Sequence, residues 1–147
     1  MSITGSLPGT VTIENVNVYV TTTTAPVTEY TAGEDLAAKS AVCVGESDAK
    51  VYLTKADSWT TMPAIGITNV AVVKDETVEV YQTGKVSNVR READFSYDDP
   101  VFVSKATAGK LTKTPVEGIG DIYQVIGRAL NSSDVVLSIQ EAIEIGA

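Results

Sequence analysis

The sequence has no histidine, one cysteine at position 43 and one tryptophan at position 59 among 147 residues. Without histidine, the commonest general base and the commonest metal ligand are both missing. Neither a Ser-His-Asp nor a Cys-His nucleophilic arrangement can be assembled. A single cysteine allows no internal disulfide, and Cys43, set between Val42 and Val44, reads as a small apolar packing residue. No apolar stretch approaches the roughly 18 residues of a membrane-spanning helix, and no basic segment runs into an apolar one as in a cleavable signal. A soluble, unexported chain with no membrane partner is expected. Aromatic residues are few, and they are not interleaved with basic ones as binding to single-stranded nucleic acid requires. Positive charge is also short. Eleven Lys and Arg stand against 19 Asp and Glu, and the net charge of −8 repels a phosphate backbone, so no nucleic-acid partner is expected.

What is present favours strands. Valine, threonine and isoleucine recur, and their stiff β-branched side chains suit a pleated surface. The first 30 residues read as an extended arm. Within it Val11, Ile13, Val16, Val18 and Val20 alternate with polar residues, with a one-residue shift of phase at Glu14-Asn15 and an end at Pro26. A two-strand ribbon is marginal alone, so these five residues are the candidate interface with a partner that offers an open strand edge or with a neighbouring subunit. Residues 31–147 form the body. Thr31 to Leu36 reads as a turn, with one short helical turn through Leu36-Ala37-Ala38. Val42–Val44 and Val51–Leu53 then pair across a polar turn. Trp59 reads as a plug at the end of a barrel or an interface anchor, with no second aromatic nearby to support a ligand-stacking role, and Arg90–Asp94 reads as a solvated crossing.

The second part of the body echoes the first. Val101–Val103 parallels Val42–Val44, Leu111 parallels Val51, and Gly127 parallels Gly66, at offsets of 59, 60 and 61 (101 − 42, 111 − 51, 127 − 66). Each of Gly66 and Gly127 lies inside an apolar strand, where glycine marks a bend or a close backbone approach. Two copies are too few for a solenoid and fit one compact, all-β barrel or sandwich. The expected core is Val42, Leu53, Ile65, Ile67, Val80, Val103, Leu111, Ile126, Leu137 and Ile139.

Chemistry is absent from this pattern. The carboxylate pairs Glu34-Asp35, Asp75-Glu76 and Asp98-Asp99 all fall in turns, where such residues cap backbone amides. No stretch has the alternating acids, glycine and closing glutamate of a calcium loop. Neither glycine strand opens a helix as a phosphate-cradling loop does. No catalytic residue, metal ligand or cofactor site is assigned.

From Ala32 to about residue 140 the pattern resembles capsid decoration (cement) and head-fibre proteins of tailed phages. The resemblance is carried by Ala32-Gly33-Glu34-Asp35-Leu36, Lys50-Val51-Tyr52-Leu53, Pro63-Ala64-Ile65-Gly66-Ile67, Val78-Glu79-Val80 with Gly84, Ala108-Gly109-Lys110-Leu111-Thr112 and Val125-Ile126-Gly127-Arg128-Ala129-Leu130. It implies a β-barrel or tulip-like domain, a homotrimer, the major capsid protein as partner, a place on the outer surface of the virion, and no catalysis. The alternative is a head- or tail-fibre module that binds a host surface glycan.

Overall fold

The computed structural model describes residues 26–146, and the arm residues Val11, Ile13, Val16, Val18 and Val20 lie outside them. Short β-branched runs separated by turn residues give strands and, among the described residues, no α-helix. The first half contributes β1 (Val27–Thr31), β2 (Ala41–Val44), β3 (Val51–Leu53), β4 (Gly66–Thr68) and β5 (Thr77–Tyr81). The second contributes β6 (Thr83–Val86), β7 (Pro100–Val103), β8 (Leu111–Thr112), β10 (Val125–Ala129) and β11 (Val135–Ser138). A two-stranded ribbon of β9 (Ile122–Tyr123) and β12 (Ile143–Glu144) accompanies them.

The duplication is real at the level of topology. One sheet runs β1-β5-β4-β2-β3 and the other β6-β11-β10-β7-β8, so every strand of the first has a counterpart at the same place in the second. Register agrees residue by residue. Val42 faces Gly66 as Val101 faces Gly127, and Val44 faces Val51 as Val103 faces Leu111. Parallel bridges outside the strands join Ala32 to Val51 and Arg91 to Leu111. Left-handed backbone recurs too, at Lys39 and Asp98 and again at Ala49 and Gly109.

The same physical constraint fixes both strand glycines. A Cβ on Gly66 would stand 2.2 Å from the carbonyl oxygen of Tyr81, and one on Gly127 would stand 2.0 Å from that of Val136. Tyr81 and Val136 occupy equivalent positions in β5 and β11. Both glycines therefore admit a neighbouring backbone that no side chain leaves room for.

Each half has its own buried cluster at matching positions: Leu36, Val42, Val51 and Val80 in the first, Phe95, Val101, Leu111 and Val135 in the second. The second cluster extends to Ala41, Ala56, Met62, Ala64 and Ile67, which fuses the halves into one core. Backbone bonds cross the seam from Ala41 N–H to the Gly109 carbonyl, from Gly109 N–H to Thr54, and from Arg90 N–H to Lys39. Gln124 is buried there and fully used, its amide oxygen accepting from Ala64 N–H and its nitrogen donating to the Ala64 and Gln140 carbonyls.

Several expectations change. The sheets stay open and do not close into one barrel, because each half completes its own five-stranded sheet with short edge strands. Residues 27–30, read with the arm, pair with β5 as an edge of the first sheet. No helical turn forms at Leu36, whose N–H and carbonyl both bond to Val72. The crossing at Arg90–Asp94 is not wholly solvated: Val89 and Phe95 beside it are buried, and the Arg90 guanidinium donates to Ser40 Oγ. Of the expected core, Leu53, Ile65 and Ile139 are only partly buried.

Candidate functional site

Turn carboxylates account for much of the acidity. Asp35 accepts from Lys74 N–H, Glu76 from Val73 N–H, and Asp99 from Ser96 N–H, and Asp75 pairs with Lys50 at 2.9 Å. In the Asn131–Asp134 turn, Asn131 Oδ1 accepts from Ser133 and Asp134 N–H groups, and Asp134 Oδ1 accepts from Asn88 N–H. The Asn131 amide and the Asn88 N–H hold the Asp134 carboxyl below its usual range. Cys43 is buried, and that burial pushes its thiol up to about 11, which keeps it protonated and inert as a packing residue.

A cavity of about 650 Å³ lies at the β2–β3 turn of the first half. Tyr52 and Trp59 form its aromatic walls, Val44, Met62 and Pro63 line it with apolar surface, and Ser47, Thr60 and Thr61 bring hydroxyls. Glu34, Glu46 and Asp48 supply carboxylates, and no lysine or arginine among the described residues lines it. The tyrosine is held rather than merely present. A Cβ on Gly33 would fall 2.2 Å from its ring and one on Gly45 2.6 Å from it, so both glycines clear space for that ring. Its hydroxyl donates to Asp48 Oδ2, while Asp48 Oδ1 accepts from Lys50 N–H. The Tyr52 hydroxyl is the main reason that the Asp48 carboxyl sits below its ordinary value, and the same bond raises the phenol above its own. Trp59 stands in a single turn of 3₁₀ helix (Trp59–Thr61), is 47% exposed, and donates its indole N–H to Glu144 at 2.7 Å. Glu34 accepts from Leu53 N–H at 2.9 Å, which fixes it at the cavity's edge.

A second cavity, of about 290 Å³, occupies the corresponding place in the other half. Thr112 stands where Tyr52 does, Glu92 where Gly33 does and Ser104 where Gly45 does. Ser104 Oγ donates to the Glu92 carboxylate, filling the room that the glycines leave open in the first half. Lys105, the counterpart of Glu46, is paired with Asp121 at 2.7 Å, and that lysine holds the Asp121 carboxyl below its usual range.

Sequence reasoning named Trp59 but found no second aromatic near it. Tyr52 is that partner, brought across by the β2–β3 hairpin. The spacing of Gly33, Gly45 and Tyr52 held the signal, which becomes legible only once Glu92, Ser104 and Thr112 are set beside it. Neither a protein-family model nor a curated protein matches this chain.

Proposed function

We propose that this chain is a structural virion protein, a decoration or cement protein that binds the exterior of an assembled phage head where capsid subunits meet. The observation that carries this reading is the open edge of the first sheet. Strand β1 pairs with β5 on one side only among the described residues, its Val27–Glu29 stretch is exposed, and the valine-rich segment with Val11, Ile13, Val16, Val18 and Val20 precedes it in the chain. Adding a strand to such an edge gives backbone hydrogen bonds without demanding particular side chains, which suits attachment at sites that differ slightly around a shell. The partner is then the major capsid protein, and a homotrimer presents three such edges at a junction. Open sheets around a fused core and carboxylates committed to turns support a scaffold role over catalysis. The reading is tested by quantitative mass spectrometry of purified virions. A cement protein is expected at hundreds of copies per particle; absence from the particle, or a handful of copies as for a fibre, contradicts it.

A further inference from the structure

We propose that the cavity between Tyr52 and Trp59 binds an organic cation on an aliphatic stem, the chemistry of a lysine or arginine side chain. Its volume, about 650 Å³, falls within the range of ligand sites. Two aromatic rings line it, and aromatic rings attract a cation through their quadrupoles, tryptophan most strongly. The carboxylates of Glu34, Glu46 and Asp48 add charge of one sign, and among the described residues no lysine or arginine lines the cavity. Glu46 has no hydrogen-bond or ion-pair partner among the described residues, so its charge is available. Val44, Met62 and Pro63 give the aliphatic stem an apolar wall.

The walls are also set in advance. Gly33 and Gly45 seat the Tyr52 ring, Asp48 fixes its hydroxyl, and Glu144 fixes the indole of Trp59, so little freedom is lost when a ligand enters. The fold itself does not require this arrangement. The same backbone in the second half is built with Glu92, Ser104 and Thr112, holds a smaller space, and neutralises its own lysine with Asp121. An aromatic, acidic cavity on one copy of a doubled scaffold points to a ligand for that copy.

Trp59 is the only tryptophan of the chain, so its emission reports on this cavity alone. The full chain is titrated with Nα-acetyl-lysine methylamide and with Nα-acetyl-arginine methylamide, while backbone amide shifts at Gly45 and Lys50 are followed by NMR as a second readout. Both probes are expected to give a saturable response at both readouts. Raising sodium chloride toward 1 M, where the Debye length is about 3 Å, should weaken it severalfold. Glu46→Gln, at an exposed site, should weaken binding about threefold, the scale of one exposed charge pair. A flat titration at both readouts overturns the proposal. So does an equal response to uncharged Nα-acetyl-alanine methylamide, or a response to methyl glycosides that exceeds that of the cations.

Discussion

In the first half Tyr52 lies between Gly33 and Gly45; in the second, Thr112 stands beside a hydrogen-bonded Glu92 and Ser104 on the same backbone. At the strand glycines and at one turn the halves agree. Gly66 and Gly127 meet equivalent carbonyls, and Ala49 and Gly109 take the same left-handed turn. The contrast separates two kinds of residue. Positions that recur in both copies answer to the backbone, whereas positions that differ are free of it and can serve a ligand. Seven substitutions, in four sets, put that division at risk.

The largest effect belongs to the strand glycines. Gly66→Ala and Gly127→Ala each push a methyl group into a backbone carbonyl that cannot turn aside, and each should cost about 4 kcal/mol or more in urea unfolding. Similar costs at both sites support one scaffold used twice. A cost below about 1 kcal/mol at either would show that the strands can separate there.

Next comes an intended asymmetry. Ile126 is fully buried at the irregularity where β10 shifts register against β7, and Ile126→Ala should cost about 3 kcal/mol. Its counterpart Ile65 is only partly buried against the smaller cluster, so Ile65→Ala should cost about 1 kcal/mol. Equal losses at the two would mean that the halves bury this position alike.

A smaller effect tests the turn backbone. Ala49 is exposed at φ 59°, where a Cβ is unfavourable, while Gly109 meets the same need at φ 80° without one. Ala49→Gly should gain about 0.5–1 kcal/mol, and Gly109→Ala should lose at least about 1 kcal/mol, helped by the Leu53 side chain 2.8 Å from the added methyl.

The smallest effect is electrostatic. The Asp48 carboxyl is held below its ordinary 3.8 chiefly by the Tyr52 hydroxyl. Its folded value is depressed, so its contribution to stability is complete above the unfolded value and fades as pH falls through the folded one. Tyr52→Phe removes that cause and should bring Asp48 back toward 3.8 in a carboxyl NMR titration. Asp121, held down by Lys105 in the other half, should not move. A shift at both residues would indicate that the halves are electrically coupled.

Much of the fold was legible because periodicity of two and turn chemistry are local signals. The offsets between Val42 and Val101, Val51 and Leu111, and Gly66 and Gly127 are the register of the two sheets seen in one dimension. The close approach at both glycines was legible for the same reason. The cavity was not, since it depends on Tyr52 reaching Gly33 and on Trp59 reaching Glu144, contacts with no local trace. Strand β1 was assigned to the arm because Pro26 looks like an end when it stands before a beginning. Openness of the sheets was equally hidden, as a run of short strands reads the same whether or not the last meets the first.

The functional reading rests on attachment to a shell, and adding the protein back to undecorated heads tests it most directly. The full chain and a chain lacking residues 1–25 are mixed with heads, sedimented and counted, with circular dichroism to confirm that the shortened chain keeps its strands. The account expects the full chain to saturate at a fixed, high copy number and to raise the temperature at which the heads break open, and the shortened chain to bind at least tenfold more weakly. Failure of the full chain to sediment with the heads, or heads no harder to disrupt when saturated with it, would contradict the account.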